Sequence, residues 1–234
     1  MDTYLKGKVR LVIYPAEGKN SKGVTVGHIY VDGGPEAFEV TGGLAKSGLE
    51  PGGHRSGITP PGRYVLDHAE HHTTRNWPAS VVPWGAKLRE RNEIVEYEMG
   101  GAWRAASGPH GSVTFANVIW YHRSRKHITV DSASRRARQM FYDENGELMS
   151  EWLWNDFGQW SWNMKRNGVR TAYYIHTTPD DERDTRLTLP FELSSSHGCL
   201  HIRPNDRKTM KEKGYLAAGV EVEVKRYDER RRSY

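Results

Sequence analysis

The stretch Ser194–Asp206, SSSHGCLHIRPND, holds the only cysteine of the 234-residue chain, placed directly after a glycine and between two histidines. Three readings compete for that thiol: a nucleophile with its catalytic neighbours, one of a set of metal ligands, or a small buried hydrophobe, the common fate of a free cysteine. The approach to Cys199 is polar, through Ser194, Ser195, Ser196 and His197. Gly198 permits unusual backbone angles and close approach, which can aim amide groups at one point. His197 and Cys199, two apart on a strand or tight turn, point alike. A structural zinc site wants four ligands, and further partners at a recognisable spacing are missing. The densest histidine cluster, DHAEHH (Asp67–His72), reads as a wet loop after a strand. No metal and no cofactor are expected. A nucleophilic cysteine needs a base, because the thiolate attacks and the thiol hardly does. His176 ends a predicted strand, TAYYIHT (Thr171–Thr177), twenty-three residues before Cys199, a separation that suits two neighbouring strands joined by a loop.

Working outward, KVRLVIY (Lys8–Tyr14), VTVGHIYV (Val24–Val31) and AFEVTG (Ala37–Gly42) are short, rich in Val, Ile and Tyr, and separated by turn residues. That is a strand-and-turn pattern. A Gly-rich loop, Gly42–Gly57, leads through ITPPG to a strand over Arg63–Asp67. The middle of the chain is less regular. VTFANVIWYH (Val113–His122) and KHITVD (Lys126–Asp131) read as strands, and SASRRARQMFYDENG (Ser132–Gly146) as a short basic helix ending at Asn145-Gly146. SEWLWNDFGQWSWNMKRNG (Ser150–Gly168) puts four Trp within eleven residues, either core or a lid whose aromatic faces hold a sugar or peptide. A polar loop follows His176. NDRKTMKEKGYL (Asn205–Leu216) reads as a helix with an Asn/Asp start and Gly214 at its end, and GVEVEVKRY alternates strictly as a last strand. The expected architecture is one mainly β (α+β) domain over 1–234, with 68–170 as an insertion or lid within it and a short helix after the cysteine.

Eight Trp, twelve Tyr and five Phe supply enough apolar area for a core. A single cysteine rules out an intramolecular disulfide. No stretch approaches the ~20 apolar residues of a membrane span. The net charge of +5 favours an anionic partner, although much of the excess sits in KRYDERRRSY at the end and reads equally as a solvated tail. The start, MDTYLKGKVRLVIYPAEGK, lacks the basic-then-apolar pattern of a secretory signal. The expectation is a cytoplasmic protein, or one delivered to the cell wall by a route that reads no such signal.

A histidine at a strand end, a loop, and then S-H-G-C-L followed by Asp206 resembles the L,D-transpeptidase (YkuD-type) catalytic domain. GITPPGRYVL (Gly57–Leu66) resembles that family's Thr-Pro segment, and EVTGG (Glu39–Gly43) its strand ending in a small-residue turn. DRKTMKEKGYLAAGVEVEV (Asp206–Val224) is similar to its final helix and strand. The resemblance covers residues 8–67 and 171–226. It implies a YkuD-like β-sandwich or barrel, with Cys199 as nucleophile and His176 as base. It makes Ser196, His197 and Gly198 the pocket around the thiol, with backbone amides near Gly198 and Cys199 as the oxyanion site. Tyr174, His201, Arg203, Trp160 and Trp162 are the substrate-binding candidates. The implied reaction is acyl transfer on peptidoglycan stem peptides or muropeptides. Cys199 attacks the diaminopimelate–D-Ala bond, and the thioester then passes to an amine, giving a 3→3 cross-link or D-amino acid exchange, or to water. The chain departs from the pattern in two places. His201 stands where many members carry Arg or Asn, and nineteen residues, a longer loop, separate His176 from Ser196. A non-catalytic wall-binding module and a wall-targeting toxin with the same chemistry are the alternatives. A nucleic-acid binder finds no supporting motif.

Overall fold

The computed structural model describes residues 9–43, 48–49, 55–71, 82–107, 139–143, 145–155, 157–186 and 188–231. The chain divides into two compact units that interleave in sequence. The first comprises 1–70, 160–177 and 191–234; the second comprises 71–159 and 178–190.

The strands in chain order are β1 (Arg10–Lys19), β2 (Thr25–Val31), β3 (Ala37–Thr41), β4 (Gly48–Leu49), β5 (Arg55–Ser56) and β6 (Gly62–Glu70). They continue with β7 (Leu88–Arg91), β8 (Ile94–Met99), β9 (Ala102–Ser107), β10 (Ser161–Lys165), β11 (Tyr174–His176), β12 (Leu200–Ile202) and β13 (Glu221–Val224). Eight of them close a barrel in the order β1-β13-β6-β10-β11-β12-β3-β2. Neighbours run antiparallel except for the β1–β13 and β11–β12 pairs.

Two-residue alternation fills this barrel. Leu11, Ile13, Ile29, Phe38, Val40, Tyr64, Leu66, Trp162, Met164, Ile175, Leu200, Ile202, Val222 and Val224 all face one buried core. The outward face divides in two. Across β1, β13, β6 and β10 it carries charge: Arg10 lies opposite Glu221, Glu221 opposite Val65, and Val65 opposite Lys165. Across β10, β11, β12 and β3 the outward residues Ser161, Asn163, His176, His201 and Thr41 are polar yet buried. Buried polar groups are costly unless hydrogen-bonded, so this half of the barrel marks the candidate site.

The second unit has its own core. β7, β8 and β9 form a three-stranded meander, and Val82, Leu88, Val95, Tyr97, Met140, Phe141, Trp152 and Trp154 pack together. Helix α1 (Pro179–Arg186) belongs to this unit. Its residue Arg183 is fully buried against Asp184, with Nε and Nη2 contacting Oδ1 at 2.9 and 2.7 Å. Among the described residues no helix is long and apolar enough to cross a membrane.

Several sequence expectations are corrected. The first strand runs to Lys19 across a register shift between Tyr14 and Gly18, where Pro15 would interrupt a regular ladder. The segment after His176 is not all loop. Thr178 Oγ1 accepts the Asp181 amide at 3.2 Å, Pro179 opens the helix, and Asp180, Asp181 and Glu182 fill its first turn, each favourable at a helix N-terminus. The expected helix Ser132–Gly146 is, in its described part, a single 3-10 turn (Gln139–Phe141) followed by a turn that Asp143 Oδ1 holds through the amides of Asn145 and Glu147. The strands expected at Val113–His122 and Lys126–Asp131 lie outside the described residues. The closing helix α2 (Pro204–Glu212) and strand β13 lie within two residues of their expected starts.

Trp162, a substrate-binding candidate on the sequence, is 1 % exposed inside the barrel core. Trp152 and Trp154 are equally buried in the second core, so the Trp-rich segment is mostly interior packing. Replacing Trp162 with Ala should cost about 3–5 kcal/mol of stability by opening a cavity, measured by urea unfolding. A loss below about 1 kcal/mol would remove Trp162 from the core.

Candidate functional site

The site is built on one pair of strands. β11 and β12 run parallel, with Ile175 opposite Leu200 and His176 opposite His201. Ile175 and Leu200 turn into the core, so alternation turns His176 and His201 to the other face. Cys199 immediately precedes β12, two residues before His201. The Cys199 thiol donates to the Ala172 carbonyl at 3.8 Å, and the Tyr174 backbone amide also reaches the sulfur.

His176 is buried, and its Nδ1 lies 2.6 Å from the Thr177 carbonyl oxygen. A carbonyl only accepts, so Nδ1 carries a hydrogen, and in the neutral ring Nε2 is then the basic nitrogen. His201 is held likewise, its Nδ1 donating to the Ser194 carbonyl at 3.1 Å. Burial pushes its imidazole down to about 4, with His197 nearby acting in the same direction and the Ser194 contact opposing. Burial also pushes the Cys199 thiol up to about 11, partly offset by the Tyr174 amide. Cys199 nevertheless keeps an intermediate exposure; its neighbours crowd the sulfur without sealing it. At pH 7 such a thiol is about 10⁻⁴ ionised, so its proton must leave as attack proceeds.

The loop before Cys199 is held by its own serines and by two glycine-containing segments. Ser196 Oγ donates to the Cys199 carbonyl and accepts the Gly198 amide at 3.0 Å. Thr41 Oγ1 donates to the Ser194 carbonyl at 2.6 Å, and the Ser196 amide to the Gly42 carbonyl at 3.1 Å. Tyr227 OH donates to the Gly43 carbonyl at 2.9 Å and accepts the Thr59 amide at 3.2 Å. The backbone at Gly43 passes so near Gly57 that an added Cβ would lie 1.6 Å from the Gly57 carbonyl oxygen. Gly198 has φ +122°, and a Cβ there would meet Tyr173 Cε1 at 2.8 Å. Both positions admit only glycine, which explains the small-residue turns that flank the cysteine.

These contacts redistribute the expected roles. Cys199 meets Tyr174 and Ser196, Ser196 meets Gly198, His176 meets His201, and His197 is exposed. The Gly198 amide, an expected oxyanion donor, is directed at Ser196 Oγ at 3.0 Å. His201, a substrate-binding candidate, is buried and neutral, with its Nδ1 donating to the Ser194 carbonyl. Arg203 is a strut: its guanidinium meets Glu39 Oε1 at 2.8 Å, donates to the Phe191 carbonyl at 3.3 Å, and lies 5.2 Å over the Phe191 ring. Trp160 is half-buried against the barrel core, with Lys211 Nζ 5.3 Å over its ring. Sequence reasoning missed Thr41, Thr59, Tyr173 and Tyr227. The EVTGG and ITPPG segments pointed to the two threonines. Nothing local pointed to Tyr227, which reaches the site only through the fold.

Comparison with protein-family models, with curated proteins and with solved structures gave no match.

Two outcomes are expected. Gly198→Ala should cost about 1–3 kcal/mol by strain and collision, read by urea unfolding, and should slow iodoacetamide labelling of Cys199; unchanged values in both would show that the turn tolerates a side chain. His201 takes up a proton near 6.5 when unfolded and only near 4 when folded. The stability its neutral ring contributes is therefore complete above about pH 6.5 and lost as the pH falls towards 4. Over that range the protein should lose up to about 3 kcal/mol more than a His201→Phe variant does. Parallel stability curves would contradict this.

Proposed function

We propose that the protein is a cysteine acyltransferase acting on peptidoglycan stem peptides, with Cys199 as nucleophile and His176 as general base. One observation carries the reading: Cys199 directly precedes β12 with its sulfur against Ala172 and Tyr174 of the segment that ends in His176, and the Thr177 carbonyl holds His176 Nδ1. The lone thiol in a polar, glycine-turned loop adds support, as does the likeness of His176…SHGC, EVTGG and ITPPG to the L,D-transpeptidase pattern.

The chemistry runs in two halves. Cys199 Sγ attacks the carbonyl carbon of the diamino acid–D-Ala bond as His176 Nε2 takes the thiol proton, and the carbonyl oxygen becomes an oxyanion. With the Gly198 amide engaged, the Cys199 amide is the local candidate to receive that oxyanion. The C–N bond then breaks, His176 returns its proton to the departing D-Ala amine, and a thioester remains on Cys199. In the second half His176 takes a proton from an incoming amine or water, which attacks the thioester. The tetrahedral intermediate collapses, and the thiol is released with its proton restored. An amine acceptor gives a cross-link or an exchanged D-amino acid; water gives a tripeptide.

The high thiol pKa places the burden on the base. A preformed thiolate would need little from His176, whereas a protonated thiol needs concerted proton removal. The excess of Lys and Arg suits a substrate that carries several carboxylates.

Incubation with disaccharide-tetrapeptide, followed by mass analysis, should yield tripeptide, a cross-linked dimer or, with added D-amino acid, an exchanged tetrapeptide. Cys199→Ala should abolish all three, and His176→Gln should slow the reaction by about 10²–10⁴-fold. Product formation surviving Cys199→Ala, or no product from the unaltered protein, would overturn the reading.

A further inference from the structure

Four buried polar side chains lie in one line across four strands of the barrel. Ser161 on β10 is opposite His176 on β11, His176 is opposite His201 on β12, and His201 is opposite Thr41 on β3. Their exposures are 0, 3, 8 and 0 %. At the centre of the line the two imidazoles meet edge to face, with centroids 4.6 Å apart and planes at 72°. Each ring is anchored by Nδ1 to a backbone carbonyl, His176 to Thr177 and His201 to Ser194. The Ser194 carbonyl is itself fixed by Thr41 Oγ1 at 2.6 Å. His201 is therefore clamped from β3 and from the loop that leads to the cysteine.

A ring held in this way restricts its neighbour. Turning the His176 imidazole would break its bond to Thr177 and its edge-to-face contact with the His201 ring. We propose that His201 is a positioning residue, whose clamped ring holds His176 in a single tautomer and rotamer, with Nε2 as its basic nitrogen. This rests on the assignment of His176 as base. At 8 % exposure His201 is covered, so it acts through His176 rather than on a bound peptide.

The test uses the full chain with 15N-labelled histidine. Two-bond 1H–15N spectra at pH 7.5, assigned with His176→Gln, report the tautomer of His176 directly and do not depend on turnover. The unaltered protein should show His176 wholly as the Nδ1–H form. His201→Asn keeps a donor for Ser194 but removes the ring, and His201→Ala removes both. Either variant, folded by circular dichroism, should show a mixed His176 tautomer. His201→Phe, which retains a ring, should recover the single form. In the same preparations kcat for D-Ala release from disaccharide-tetrapeptide should fall about 10- to 100-fold in the Asn and Ala variants with KM within about twofold. An unchanged His176 tautomer in the Asn or Ala variant, or a failure of Phe to recover it, overturns the positioning role. Absence of D-Ala release from the unaltered protein, with the tautomer still responding to His201, overturns the acyl-transfer reading and leaves the positioning role standing.

Discussion

The parallel pairing of β11 with β12 sets the faces on which everything else is arranged. With Ile175 opposite Leu200, both side chains enter the barrel core, and the alternation of the strands sends His176 and His201 outward together. A slip of one residue on β12 would drive His201 into hydrocarbon and expose Leu200 and Ile202. The apolar pair thus enforces the polar one. Closure of the barrel extends this constraint sideways, because β10 and β3 flank the pair and add Ser161 and Thr41 to the same row.

A buried polar row is expensive to form, and the way its hydrogens are placed offsets the cost. His176, His201 and Thr41 each donate to a backbone carbonyl, of Thr177, Ser194 and Ser194 respectively. In a poorly solvated setting neutral forms are favoured. The result is a protonated thiol and a neutral His201 imidazole. The glycines at 43 and 198 serve the same arrangement from the other side, letting three backbone segments approach where a Cβ could not fit.

Local signals in the sequence tracked the structure where the physics was local. Val-, Ile- and Tyr-rich runs became β1, β2, β3 and β6, and the strict alternation of GVEVEV became β13. The Asn/Asp start and Gly214 marked α2. Helix α1 was legible too, since Thr178-Pro179 followed by three acids is a helix-start signature, but the polarity of the segment read as loop. The meander β7–β9 was not foreseen, because its short strands carry charge on their outer positions and little unbroken apolar character. The Trp cluster shows the opposite failure. Four aromatic residues at close spacing fitted a lid and a core equally well, and burial resolved three of them to interiors belonging to two different units.

By itself, the sequence determined that the chain is mainly β, that Cys199 stands in a polar glycine turn, and that a histidine closes an earlier strand. Composition, alternation and turn chemistry act over a few residues and can be read one after another. Only the tertiary structure decided which partners these residues meet. Strand register made His176 and His201 neighbours, Tyr227 reached Gly43 and Thr59 from the far end of the chain, and Ser196 occupied the Gly198 amide. Those contacts join residues up to 184 positions apart, and they depend on how the barrel closes, a property of all its strands together that no local stretch encodes.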